Sequence, residues 1–249
     1  AASIKKFPKR IFAPREFACN LVCGLEKRGH KVYYATAPDI STTAAKIPGD
    51  KDLLFERKLT IDKFLNRRTI SDSERSIISS TKKQYYELDL IEKTISLANQ
   101  NTFDIIHADY PLVHFFEQFS IKPIVYTLHD RLPSFGSLEY WILSKYKNHK
   151  FISISKSQMR ESKLNFIGTV LHGLDANEYR FNSDVGQNHY VFIGRLVPDK
   201  GAHIAVKAAS ETGISLILAT ELERKDSVYY KEEIAPYINN SRIKLSGFL

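Results

Sequence analysis

Cysteine is nearly absent from this chain. Cys19 and Cys23 are the only two among 249 residues, so no disulfide framework can substitute for a hydrophobic core. They lie one helical turn apart, a spacing that strains a disulfide. No further ligands cluster beside them to complete a metal site. Buried thiols in a reducing compartment are therefore expected. Long apolar runs are missing too, and none approaches the roughly 20 residues of a membrane span. The N-terminus is basic and broken by Pro8 and Pro14, which does not read as a signal peptide. A cytoplasmic protein, peripheral to a membrane at most, is the expectation. There is no internal repeat of fixed period and no low-complexity tract. The 36 Lys and Arg residues are scattered rather than run together, and no nucleic-acid recognition motif or basic–aromatic stripe is present, so a nucleic-acid partner is not expected.

What remains is an ordinary globular composition, 43% apolar and 26% charged, long enough for one large domain or two smaller ones. The net charge of +8 suits an anionic ligand or an acidic surface and does not choose between them. Along the chain, Phe17, Leu21, Val22 and Leu25 form a helical stripe over 15–28 that Gly29 ends, and 31–37 reads as a strand. The strand that should precede this helix is missing or degraded, Ser3 to Pro8 being a poor candidate, and 38–72 is polar and mixed. A long helix follows over 73–101, with Ser73 as N-cap and Ile77, Ile78, Tyr85, Leu88, Ile91 and Ile95 as its stripe. Strands are expected at 104–108, 123–129, 151–155 and 168–171, with short helices at 112–119, 137–146 and 157–162. Strands alternating with helices indicate an α/β fold with parallel sheets. Residues 177–189 are polar and read as a linker. A second alternation then begins: strand from 190, helix 201–211, strand 214–219, helix 226–237, strand 242–245. The division expected is 1–178, a linker at 179–189, and 190–249.

The most informative stretch is Tyr190 to Gly201: an apolar strand, a glycine turn at Gly194, a loop carrying Arg195 and Lys200, and a helix start. Two cations beside a helix N-terminus form an anion site, because free backbone N–H groups and the helix dipole act in the same direction. A phosphate or diphosphate is the natural guest; solvated loop charges are the bland alternative. His107, His129 and His172 each stand near the C-terminal end of an expected strand, where open parallel sheets bind ligands. Structural hydrogen bonding is the competing role for each, and no pair has metal-ligand spacing.

Gly24 to Val32, Asp104 to His107, Val125 to Asp130, Ile152 to Ser155, Val170 to Asp175 and Phe192 to Gly201 together resemble GT-B glycosyltransferases of the family-4 type, a retaining, bacterial branch. The resemblance covers most of 14–249, and Phe192 to Gly201 is its most specific part. It implies two Rossmann-like domains, the N-terminal one lacking its first strand and the C-terminal one truncated. It also implies an acceptor-side domain followed by the first part of a nucleotide-sugar-binding domain. Gly194, Arg195, Lys200 and Gly201 match the loop that holds the donor diphosphate. His129 matches the active-site histidine, with Asp130 orienting it or capping the next loop, and His172 and Gly173 match the loop that lines the cleft. Core packing is the expected role of His107. Such enzymes commonly need no metal, so no cofactor is expected beyond the nucleotide-sugar co-substrate; the acceptor would be a saccharide or a lipid-linked one. Arg10 to Pro14 stands where the family has a glycine-rich loop. The family's Glu-x7-Glu region finds no match, Glu221/Glu223 and Glu232/Glu233 having the wrong spacing, so this piece alone is expected to turn over poorly. The alternative from another class is a non-catalytic protein that reuses part of the fold to bind an anion, a partner or a membrane.

Overall fold

The computed structural model describes residues 13–38, 40–54, 72–160, 163–174, 181, 183, 186, 189–220 and 227–247. Expectations for the strand at 3–8, the loop at 10–12, most of the linker and Glu221/Glu223 lie outside the described residues. The chain forms two compact units, Ala1–Leu174 and Asp175–Leu249.

In the first unit, helix α1 (Ala13–Glu26) stops where Gly29 turns left-handed at φ 86°. There the His30 N–H reaches back to the Leu25 carbonyl at 3.2 Å, a glycine-terminated helix end. β1 (Tyr33–Thr36) follows and pairs in parallel with β2 (Ala45–Pro48). β2 was not foreseen, because Ala-Lys-Ile-Pro has little β character. A short helix α2 (Lys51–Leu54) and the long α3 (Asp72–Asn99) come next. The core stripe of α3 runs through Tyr86, Leu90, Ile91, Ile95 and Ala98, while Tyr85 is 58% exposed. Of the expected stripe, Ile91 and Ile95 are buried, Leu88 is half-buried and Tyr85 is exposed, while the side chains of Ile77 and Ile78 lie outside the described residues; two adjacent aromatics fit the period about equally, and only the spacing from Tyr86 to Leu90 lands on the buried face. α1 and α3 enclose a small core of Ala37, Ile40, Tyr86 and Leu90, against which Cys19 packs. Cys19 is half-buried and Cys23 exposed, both free. The expectation of two buried thiols therefore fails for Cys23, which lies one residue around the helix from the buried Val22.

The main sheet is β3 (Ile106–Ala108), β4 (Ile124–Leu128), β5 (Lys150–Ser153) and β6 (Phe166–Thr169), parallel throughout and in that order. Its crossovers are a 3₁₀-helix over Pro111–Phe119, α4 (Leu138–Lys145) and α5 (Lys156–Arg160). Ile106, Ile124, Tyr126 and Phe151 form its core with Ile91, Ile95 and Ala98 of α3. β6 starts and ends earlier than expected. Val170 and Leu171 have strand-like side chains but are 60% and 70% exposed, because the chain leaves the sheet after Thr169.

The second unit is a parallel sheet of β7 (Tyr190–Ile193), β8 (Leu216–Ala219) and β9 (Ile243–Ser246). α6 (Ala202–Thr212) and α7 (Val228–Glu233) connect the strands. Val206, Ala209, Leu218, Ile234 and Ile243 are its buried centre. The single helix expected over 226–237 is shorter: α7 ends at Glu233, and Pro236, which cannot continue an α-helix, sits in a separate 3₁₀ turn over Ala235–Tyr237.

Candidate active site

In the first unit the chemistry gathers at the C-terminal ends of β3, β4 and β6. Asp109 follows β3 directly, His129 follows β4, and His172 stands on the strand-leaving segment after β6. Because β3 and β4 are hydrogen-bonded neighbours with Ala108 beside Tyr126, Asp109 is brought to His129. The Nε2 of His129 lies 2.9 Å from Oδ1 of Asp109, and its Nδ1 lies 3.0 Å from Nε2 of His172. A carboxylate only accepts, so Nε2 of His129 carries the proton and donates to Asp109. In the neutral ring Nδ1 is then the lone-pair nitrogen, and His172 donates to it. The ring of Phe17, on α1, covers both imidazoles, with centroids 4.7 Å from His129 and 4.8 Å from His172.

The backbone around His129 is held by a residue that sequence reading missed. Gln158, on α5 and only 9% exposed, donates through Nε2 to the carbonyls of Leu128 and Asp130, at 2.9 and 2.7 Å. Its Oε1 accepts from the Ile154 N–H at 2.9 Å. Both peptide neighbours of His129 are thereby tied to one buried side chain.

His107 is not packed in the core as expected. Its side chain is 29% exposed and its Nε2 stands 3.7 Å from Oδ1 of Asp109, because the middle residue of β3 points away from the α3 face. The same nitrogen is 2.7 Å from the Thr127 hydroxyl. Partial burial pushes this imidazole below its ordinary range; Asp109 pulls it back up and His129 adds to the depression. Asp130 is exposed, and Asp109, not Asp130, is the carboxylate that orients His129. Nothing lies within 4 Å of a Cβ built on Gly173, so that position is open.

In the second unit, the loop from β7 to α6 carries Gly194, Arg195, Lys200 and Gly201. Leu196, 1% exposed, anchors the middle of the loop in the core, and the flanking Arg195 and Lys200 are exposed. Among the described residues neither cation has an ion-pair partner. A Cβ at Gly194 would lie 3.3 Å from the Phe192 ring, a tight contact, and 3.8 Å from Cβ of Lys200, an ordinary one, so a side chain there would press on Phe192. Gly201 is left-handed at φ 76° and precedes α6 directly. Three N–H groups of the first turn of α6 are already engaged: that of His203 donates to the Tyr229 hydroxyl at 3.2 Å, which in turn lies 2.8 Å from Nδ1 of His203, and those of Ile204 and Ala205 donate to the Gly201 carbonyl at 3.0 and 3.2 Å.

The chain has one Asp-x-Asp triplet, Asp50-Lys51-Asp52. It caps α2, since Oδ1 of Asp50 accepts from the Asp52 N–H at 2.8 Å and the Asp50 N–H donates to Asp89 at 2.7 Å. Among the described residues no group of three or more His, Cys, Asp or Glu could hold a metal ion, and no helix is long and apolar enough to cross a membrane.

Comparison with known proteins adds the following. The family model described as Glycosyltransferase Family 4 matches residues 16–165. No curated protein matches. Among solved structures, a glycosyltransferase from Rickettsia africae ESF-5 is similar with a TM-score of 0.56 and 14% identity, over 94% of this chain and 64% of that one. AviGT4, a glycosyltransferase involved in avilamycin A biosynthesis, is similar with a TM-score of 0.47 and 17% identity, over 93% of this chain and 55% of that one. The chain thus spans less than two thirds of the length of either structure.

Proposed function

Because this chain belongs to glycosyltransferase family 4 and has the parallel α/β architecture of GT-B glycosyltransferases, we propose that it carries part of a cleft in which a hexosyl group passes, with retention, from a nucleoside-diphosphate sugar to a saccharide or lipid-linked acceptor. The observation that carries this reading is the loop of the second unit, where two exposed cations without ion-pair partners among the described residues stand on either side of the buried Leu196, between the turn at Gly194 and the left-handed Gly201. When the bond from the anomeric carbon to the donor oxygen breaks, negative charge grows on the departing diphosphate. Cations fixed at that position stabilise the transition state more than the ground state. Arg195 supplies a planar two-pronged grip and Lys200 a point charge, so neither replaces the other.

His129 handles the sugar side. Both of its ring nitrogens are engaged, one by Asp109 and one by His172. Asp109 fixes the tautomer, so a sugar hydroxyl reaches His129 by displacing His172 and donating to Nδ1. The role is orientation of the reacting groups. In this reading no metal or other cofactor takes part, and the protein works in the cytoplasm.

The test is sugar transfer by a full-length protein containing this chain, with Arg195→Ala and with Lys200→Ala. Each should lower kcat by about 10²–10³-fold and weaken donor binding. Unchanged donor affinity and unchanged rate in both variants would overturn the reading.

A further inference from the structure

Helix α4 is packed on one side only. Its start is capped by Ser137, whose hydroxyl accepts from the Tyr140 N–H at 3.1 Å, and Leu143 joins it to the core of the main sheet. On a helix, the face opposite Leu143 is occupied by Leu138, Trp141 and Lys145, which are spaced three and four residues apart. Leu138 is 67% exposed and Trp141 58%, and Phe135, in the loop leading into the helix, is 90% exposed. The Phe135 ring rests against Tyr140, with centroids 5.2 Å apart. Scattered apolar side chains need no explanation, but an aromatic and aliphatic stripe on an element with no buried residue marks an interaction surface.

The charges say which surface. Nζ of Lys145 stands 5.7 Å from the Trp141 ring centroid and 5.4 Å from that of Tyr146, so the cation borders the aromatic stripe. Between residues 131 and 150 the chain carries Arg131, Lys145, Lys147 and Lys150 against Glu139 alone. The segment is thus net positive, and a two-fold contact between copies through α4 would bring like charges together, which is repulsive. Tryptophan and tyrosine beside lysine on a short exposed helix fit the headgroup boundary of a bilayer, where rings sit among the acyl ends and ammonium groups meet lipid phosphates.

We infer that α4 and Phe135 form a docking site for a membrane surface rich in anionic lipid. Phe135, Leu138 and Trp141 enter the headgroup–acyl boundary, and Lys145 with its basic neighbours pairs with phosphate. This does not depend on the sugar-transfer reading. Phe135 stands a few residues after His129, so docking brings the histidine cluster close to an acceptor carried by lipid.

Trp141 is the only tryptophan in the chain, so its fluorescence reports directly on the patch. The full chain is titrated with vesicles of phosphatidylcholine alone and of phosphatidylcholine mixed with phosphatidylglycerol. The expected result is co-sedimentation and a blue shift of emission with the mixed vesicles only, weakening as salt is raised. Phe135→Ser with Leu138→Ser, which keeps the reporter, should lower partitioning about tenfold or more while the melting curve stays that of the parent. Lys145→Glu should weaken binding with the apolar residues intact. No binding to the mixed vesicles, or binding with unchanged emission, overturns the inference. A blue shift without vesicles that grows with protein concentration makes a second copy the occupant and also overturns it.

Discussion

At the scale of single residues, the hydrogen bond from His129 to Asp109 decides what the candidate site can do. It sets which ring nitrogen can accept from a hydroxyl once His172 gives way, and it aims the ring. Asp109→Asn keeps the shape but can present an N–H to the ring, letting the tautomer reverse. A fall in kcat of about 100-fold with donor affinity unchanged is expected, as measured by steady-state transfer kinetics. Equal losses of affinity and rate would mean that Asp109 acts on the fold instead. A second histidine pair has consequences for stability. His114 is 3% exposed and its Nδ1 lies 3.0 Å from Nδ1 of His149. The latter nitrogen is also 2.8 Å from Oε2 of Glu117, which accepts from the Tyr126 hydroxyl at 2.7 Å. The rings of Tyr126 and Tyr146 stack on His114 at 4.1 and 5.7 Å. The single proton on His149 Nδ1 is drawn toward the carboxylate, so His114 must offer a lone pair and stay neutral. Burial, then the charge on His149, pushes His114 down to about 4; burial lowers His149 too, against the pull of Glu117. In the unfolded chain a histidine titrates near 6.5, so between the two values the unfolded state binds more protons. Stability is complete above about pH 6.5 and is lost as pH falls toward 4, by on the order of 2 kcal/mol. Thermal melts from pH 7 to 4.5 should show this decline, and His114→Asn should flatten it.

At the scale of elements, two glycines set junctions. Gly201 joins the 3₁₀ turn Pro198–Lys200 to α6 at φ 76°. Gly201→Ala should cost about 1–2 kcal/mol, and it should also weaken anion binding by moving Lys200. Gly49 follows β2, where a Cβ would lie 2.4 Å from the Tyr86 ring, itself 1% exposed. Gly49→Ala must displace a buried aromatic, with a loss of about 1–3 kcal/mol visible in chemical denaturation and no direct effect on the loop of the second unit. Many of the elements were legible in the sequence. Pro123-Ile-Val-Tyr-Thr-Leu reads as a strand from its β-branched and aromatic run, and Gly29 punctuates a helix because the chain turns left-handed there, at φ 86°. β2 was illegible because its stability comes from pairing with β1 and not from its own residues. His129 could be found because a strand end can be read in one dimension. Asp109 could not be assigned to it, since that contact exists only when β3 and β4 lie side by side. Gln158 was hidden for the same reason: a glutamine on a short helix carries no signal until its carbonyl partners are known.

At the scale of the whole molecule, two units bring different chemistry. The first holds a histidine–carboxylate cluster at the C-terminal ends of its parallel strands, with a one-sided aromatic helix nearby in sequence. The second offers a cationic turn before a helix. On the proposed reading the second unit meets the anionic leaving group and the first the sugar, and the net charge of +8 favours approach of an anionic ligand. The most direct measurement is isothermal titration of the chain with UDP, GDP, ADP, CDP and dTDP, repeated with Arg195→Ala combined with Lys200→Ala. At least one of these diphosphates should bind the parent chain and bind the double variant about tenfold or more weakly, with the melting curve of the ligand-free variant unchanged. Binding that is equally tight in the double variant, or no binding of any nucleoside diphosphate to the parent, would contradict the assignment of this loop to the donor.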